Sequence, residues 1–339
     1  MAESLAVRYR PKDFTDVCGQ SSIIRILDRQ CELKQYKHVY LFTGPSGCGK
    51  TTIARIMASK INGSLAGLEE LDAASNNGVE NVRAIIKGAQ ERSISSKYKI
   101  YIIDECHALS NQAWQAFLKC IEEPPEFTIF MFCTTDPQKI PATIVNRCQR
   151  YNLSKISTDK IRERLEYICK NEGFTNYQES IDYIAKISDG GARSAIATLE
   201  KVASLSTDIN IENTLEALGT YSYELFFNLV NNIIDSNQAE VAKTISEVYY
   251  KGNDLRLFVD QFFNFCLDVT KYCLFKSTDM ISIPSSLEDK LQASVNFDNP
   301  EKYYMYIVDR LLELKGKIKN DTSVRTTVEA TFLHISRWE

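Results

Sequence analysis

The chain holds ten cysteines in 339 residues, yet no two of them form a C-x-x-C pair. That scatter argues against a zinc site or a disulfide framework and for free thiols in a reducing compartment, most of them small buried hydrophobes. No apolar run approaches the ~20 residues that span a bilayer. The opening MAESLAVRYR has no signal-peptide core, so a cytoplasmic chain away from any membrane is expected. The formal net charge of −4 gives no basic field, so any DNA contact must be local or supplied by a partner. Internal repeats and low-complexity tracts are also missing. What is present is ordinary for a soluble globular protein, 44% hydrophobic and 25% charged, in a length that suits two or three domains.

The chain is organised around VYLFTGPSGCGKTTI, Val39 to Ile53. The apolar run Val39–Phe42 predicts a buried strand. It leads into Gly44-Pro45-Ser46-Gly47-Cys48-Gly49-Lys50-Thr51, a G-x-x-x-x-G-K-[ST] phosphate loop, and then Thr52 and a helical pattern. Gly44, Gly47 and Gly49 let backbone N–H groups converge on a polyphosphate at a helix N-terminus. Lys50 is expected to reach the β- and γ-phosphates, and Thr51 to ligate Mg2+.

Ahead of this loop, Val7–Gln20 reads as an extended arm, with Tyr9, Pro11 and Val17 suited to the flat face of an adenine or to plain packing on the core. Ser21 or Ser22 is expected to cap a helix to about Gln35. Beyond the loop, strands are expected near 69–73, 100–105 and 128–133, with helices near 79–90, 110–121 and 140–145. Asp104 and Glu105 end the 100–105 strand about fifty residues after the loop. Asp104 should hold Mg2+, and Glu105 should orient and polarise the attacking water, the two tasks phosphoryl transfer leaves to the protein. Thr134, Thr135 and Asp136 end the next strand, where a polar group could sense the γ-phosphate.

From Ser154 only helices are expected, near 158–171, 178–188, 192–205, 222–235, 238–251, 254–275, 286–295, 300–317 and 324–336. Asn299-Pro300 supplies a cap and a first-turn proline. Arg193 falls in the first turn of its helix, where a cation opposes the dipole, so an anion nearby would explain it. The aromatic-rich 254–275 segment reads as core or subunit interface.

Six segments in this order resemble the bacterial DNA polymerase III gamma/tau family, ATPase subunits of sliding-clamp loaders in the AAA+ superfamily. They are RYRPKDFTDVCGQ (8–20), YLFTGPSGCGKTTIAR (40–55), ELDAASN (70–76), YIIDECHALS (101–110), LKCIEEPPE (118–126) and TTDPQKIPATIVNRCQ (134–149). The resemblance covers about residues 5–200; the rest matches only as a helical region of suitable length. It implies an α/β P-loop AAA+ domain, a parallel sheet flanked by helices (1–153), then a three-helix lid (154–218) and an all-α collar (219–339). It assigns Thr135 as first sensor, with Thr134 as fallback, and Arg193 as the lid arginine on the γ-phosphate. Arg147, in Asn-Arg-Cys where the family has Ser-Arg-Cys, becomes an arginine finger acting in trans on a neighbouring subunit's ATP. The implied partners are a sliding clamp, primer-template DNA and other loader subunits, in a hetero-pentamer with several copies of this chain. DNA would lie inside a spiral of subunits, touched by Asn76, Asn77, Arg83, Ser110 and Asn111 at helix starts. The clamp would be gripped near Gln90–Lys97, with Ile94 as an apolar anchor or as plain surface loop.

Two departures carry expectations of their own. The connector Asn62–Gly67 has no cysteine where the family commonly has a four-cysteine zinc module, so no zinc is expected. The chain also ends after the collar, which points to a compact loader, phage-encoded or otherwise reduced, working in the host cytoplasm if phage-borne. Competing readings are another AAA+ nucleic-acid machine (a helicase loader or branch-migration motor) and a non-hydrolysing scaffold that keeps ATP as glue. Lys50, Thr51, Asp104 and Glu105 together argue against the scaffold.

Overall fold

A computed structural model describes residues 3–252, 254–278 and 280–337. The outer ends of the first and last expected domains, residues 1–2 and 338–339, lie outside the described residues. The chain forms two compact units, one from residues 1–172 and 184–200 and the other from 173–183 and 201–339.

The first unit contains α1 (Leu5–Arg8), α2 (Ser21–Leu33), β1 (Val39–Thr43), α3 (Lys50–Asn62), β2 (Leu68–Asp72), α4 (Val79–Ala89), β3 (Lys99–Asp104), α5 (Asn111–Glu122), β4 (Thr128–Thr134), α6 (Ala142–Val145), β5 (Gln149–Asn152) and α7 (Thr158–Glu172). The five strands pair in parallel in the order β2-β3-β4-β1-β5. Every residue of β1 and β4 is buried, which is why both read as unbroken apolar runs. Alternate residues serve opposite faces. Tyr40, Phe42, Ile102 and Met131 pack on α2 and α3, whereas Leu41, Ile103, Phe130 and Phe132 pack on Val82 of α4, on Trp114 and Phe117 of α5 and on Ile144 of α6. With both faces covered, the open side of the sheet is its carboxyl edge, where Thr43 of β1 is in register with Thr134 of β4.

Several local expectations are corrected. The arm is not extended throughout: Leu5, nearly fully buried, anchors α1, and Asp13 caps a single 3-10 turn over Phe14–Asp16 by accepting from Thr15 N. Neither Ser21 nor Ser22 caps α2. Its N-cap is Gln20 at φ 58°, whose side-chain amide donates to Ser154 O at 2.7 Å instead. The acidic strand stops at Asp104, because Glu105 turns into left-handed backbone at φ 44°. The helix expected near 140–145 begins later, as α6 at Ala142, and a 3-10 turn, Pro137–Lys139, precedes it. Asn299 does precede the helix beginning at Pro300, but at φ 54° and with no side-chain cap bond.

Two helices, α8 (Gln178–Ile187) and α9 (Ala192–Leu205), each contribute residues to both units. The second unit then adds α10 (Ile211–Leu218), α11 (Tyr223–Ile234), α12 (Gln238–Tyr250), α13 (Leu255–Phe275), α14 (Glu288–Ser294), α15 (Pro300–Ile318) and α16 (Val324–Ile335). Strand β5 and helix α10 had no expectation in the sequence. Along α13, Phe258, Phe262, Phe265, Cys266 and Val269 are buried against α11, α15 and α16, so the aromatic segment is core within this chain. Among its large apolar residues, only Leu274 and Phe275 at its end are more than half exposed. The Phe262 ring is fully buried, with its centroid 5.4 Å from Phe332 and 5.6 Å from Phe226. Phe262→Ala should therefore cost about 3–5 kcal/mol, read as a lowered denaturation midpoint.

Candidate functional site

The phosphate loop leaves β1 at Gly44, whose φ is 149° and whose N–H donates to Thr134 O at 3.2 Å. A Cβ built here would lie 2.5 Å from Leu153 O, so only glycine lets the loop pass that close to the chain after β5. Gly44→Ala is expected to weaken ATP binding by about 5- to 150-fold, because forcing this backbone costs on the order of 1–3 kcal/mol; equilibrium binding of ATP measures it. Gly47, at φ 72°, lies against a second segment. Its added Cβ would be 3.3 Å from Gly191 Cα and 3.4 Å from Arg193 Cβ, and its carbonyl accepts from Ala192 N at 3.1 Å.

The loop opens α3 with Lys50, which is only 6% exposed. Its Nζ donates to the carbonyls of Gly44 and Pro45, both at 2.9 Å, so the ammonium is held inside the loop's own curve. One residue on, Thr51 Oγ1 donates to Asp104 Oδ2 at 2.7 Å, while Asp104 Oδ1 accepts from Glu105 N at 2.9 Å. The Glu105 carboxylate then receives the Thr135 hydroxyl on Oε2 at 3.1 Å. Thr134, the fallback sensor, is fully buried in β4, and its hydroxyl accepts from Asp136 N at 3.0 Å.

One cavity gathers these groups. It is lined by Ser46, Gly47, Cys48, Gly49, Lys50, Thr51 and Thr52 of the loop, by Asp104 and Glu105, by Tyr9, Pro11 and Val17 of the arm, and by Arg193 of α9. The phosphate side is polar and charged, while Val17, Ile156 and Ile196 supply apolar wall. Gly44, Pro45 and Thr135 are not part of this lining. Arg147 is not part of it: the guanidinium donates to Thr143 O at 2.7 Å and pairs with Glu122 at 2.5 Å.

Arg10 also lines the cavity and was not singled out in the sequence, although it stands between Tyr9 and Pro11. It makes no ion pair among the described residues. Burial first, and then the Arg55 guanidinium, push it below the ordinary arginine range, with Arg193 adding to the effect and Glu70 and Asp104 opposing it. Arg164 and Gln20 were missed as well. Arg164 donates to Tyr9 O, and Gln20 reaches both Ser154 O and, at 3.5 Å, Cys48 O. Burial pushes the Cys48 thiol up, which disfavours its thiolate.

The donor set fits a magnesium nucleotide. A hydroxyl and a carboxylate in contact are hard oxygen ligands of the kind Mg2+ takes alongside substrate phosphates, and the side-chain-free approach at Gly47 leaves backbone facing the cavity. Ten free cysteines, seven of them buried, are spread through the chain, and among the described residues no three His, Cys, Asp or Glu side chains cluster as metal ligands. No described helix is long and apolar enough to cross a membrane.

The suggested DNA residues share one neighbourhood. Ser110 N donates to Asn77 O at 3.3 Å, which draws the start of α5 to the turn before α4. Asn76 bonds back to Asp72 O, the Ser110 hydroxyl caps α5 through Ala113 N, and Arg83 pairs with Glu80 at 3.0 Å. Asn77, Arg83, Ser110 and Asn111 are exposed, and Ile94 in the Gln90–Lys97 segment is fully so.

The chain is similar to known proteins. Residues 68–157 match the family described as DNA polymerase III, delta subunit. DNA polymerase III subunit tau of Bacillus subtilis is 37% identical over 280 residues, covering 76% of this chain and 50% of the relative. The subunit gamma/tau of Mycoplasma genitalium is 28% identical over 329 residues, covering 90% of this chain and 54% of the relative. The chain thus spans about half the length of these curated relatives. Among solved structures, the Thermotoga maritima RuvB Holliday junction branch migration motor superposes with a TM-score of 0.53 at 19% identity, over 73% of this chain and 86% of that one, a likeness of fold. The phosphate loop, the acidic end of β3, the five-stranded parallel sheet and these matches together place the chain in the AAA+ family, with the DNA polymerase III gamma/tau subunits.

Proposed function

We propose that this chain is an ATP-hydrolysing subunit of a sliding-clamp loader, which opens a ring clamp and sets it on primer-template DNA during replication. The observation that carries the reading is the single cavity holding Lys50, Thr51, Asp104, Glu105 and Arg193 while Arg147 stays outside it. ATP would lie with its base against Tyr9, Pro11 and Val17 and its phosphates along Ser46–Thr52. Thr51 and Asp104 would hold Mg2+, which when bound neutralises charge on the phosphate oxygens. Glu105 would take the proton of a water attacking the γ-phosphorus as the bond to the β-phosphate oxygen breaks. Thr135, just past the end of β4, steadies Glu105. Lys50 and Arg193 would stabilise the charge that builds on the transferred group.

Arg147 would serve the ATP of an adjacent subunit, so each site would be completed only in the assembly. Residues 154–218 would act as the lid, and 219–339 as the collar of a hetero-pentamer with several copies of this chain. Asn76, Asn77, Arg83, Ser110 and Asn111 would touch DNA through helix starts, and the Ile94 segment would meet the clamp, an apolar anchor in an otherwise polar loop.

The deciding experiment measures ATP turnover of the chain with its partner subunits in the presence of clamp and primed DNA, and again with duplex junctions. Stimulation by clamp plus primed DNA supports the loader. Stimulation by junctions alone would replace it with a branch-migration motor, and turnover no faster than that of Glu105→Gln would replace it with a scaffold.

A further inference from the structure

His107 belongs to the one-turn 3-10 helix, Cys106–Ala108, that follows Glu105. Its Nδ1 is 3.1 Å from Thr134 Oγ1 and 3.3 Å from Glu105 Oε2, the carboxylate oxygen that also receives the Thr135 hydroxyl. A carboxylate oxygen only accepts, so the contact is attractive only when Nδ1 carries the hydrogen. Thr134 fixes the ring. Its hydroxyl is fully buried in β4 and already anchored by Asp136 N, so it offers Nδ1 a stationary partner. Glu105 itself has left-handed backbone just past the strand, so no regular element orients its side chain. The Thr135 hydroxyl donates to Oε2, and His107 Nδ1 stands 3.3 Å from the same oxygen. Oε1 has no hydrogen-bond partner among the described residues.

We infer that His107 is a positioning residue for Glu105: its Nδ1–H, set by Thr134, fixes the carboxylate through Oε2 and leaves Oε1 as the oxygen that takes the water's proton. This rests on the hydrolytic reading above. It predicts a loss in the chemical step and none in nucleotide capture, because His107 is not part of the cavity lining.

The test uses the full chain with its partner subunits and measures kcat, KM and ATP affinity. His107→Leu should lower kcat about ten- to a hundredfold, the size of one hydrogen bond to a charged group, with KM and affinity unchanged. His107→Asn places an amide N–H near the position of Nδ1 and should recover most of the rate. On a Glu105→Gln background, His107→Leu should add no further loss. Should His107→Leu fail to fold, His107→Asn and His107→Asp decide: Asp offers Glu105 only acceptors and should be slow where Asn is fast, and equal rates overturn the assignment. Unchanged kcat in His107→Leu beside an inactive Glu105→Gln sinks this inference alone. Wild-type turnover in Glu105→Gln sinks the hydrolytic reading and this inference with it.

Discussion

Replacing Arg147 with alanine is expected to lower ATP turnover of the assembled complex by about 10³–10⁵-fold while each chain still binds ATP. Within its own chain Arg147 lines no nucleotide wall; it donates to Thr143 O and pairs with Glu122, with both side chains of that pair about two-fifths exposed. An exposed ion pair of this kind stabilises by only about 0–1 kcal/mol. A guanidinium meeting transition-state charge gives roughly 4–7 kcal/mol, the equivalent of that rate factor. The second interaction is the stronger, so Arg147 should give up Glu122 when a neighbouring subunit presents its nucleotide. Steady-state turnover and ATP binding, measured on the same preparation, check both halves of the prediction. Normal turnover in Arg147→Ala would remove the shared-site account.

Lys50→Ala should act at the earlier step, weakening ATP binding by about 10²–10⁴-fold, since two or more hydrogen bonds from a charged donor are lost at about 1.5–3 kcal/mol each. In this structure those hydrogen bonds go to the Gly44 and Pro45 carbonyls, so the ammonium is already desolvated and poised beside the cavity. Its exchange from carbonyl to phosphate swaps neutral acceptors for charged ones, which is favourable in a partly buried setting. Calorimetric titration with ATP reads the loss. Binding within tenfold of wild type would mean that the loop's backbone N–H groups carry the affinity without the lysine.

What could be read from the sequence was what two periodicities or one motif fix locally. Strand β1 is an apolar run that stops at a glycine loop, and β3 is an apolar run that stops at Asp104; both lie where expected because both faces of the sheet are covered. Strand β5 could not be read, since only Tyr151 of its four residues is buried and its pairing with β1 joins segments far apart in the chain. The cap on α2 was misplaced because Gln20 adopts left-handed backbone, usual for glycine or asparagine, and ties its amide to Ser154 instead. At the site, motif spacing located Lys50, Thr51 and Asp104. Arg10 depends on tertiary placement that no spacing encodes, and the His107–Glu105 contact, between residues two apart, depends on the left-handed turn at Glu105 and the one-turn helix after it.

The hydrogen bond from Ala192 N to Gly47 O has a consequence of its own. Donor and acceptor are both main chain, so no side-chain substitution can delete them short of proline at 192. The loop and the first turn of α9 are thus tied through the main chain alone. On the reading proposed above, substitutions at Arg193 would be expected to change contacts with the nucleotide while that tie stays in place.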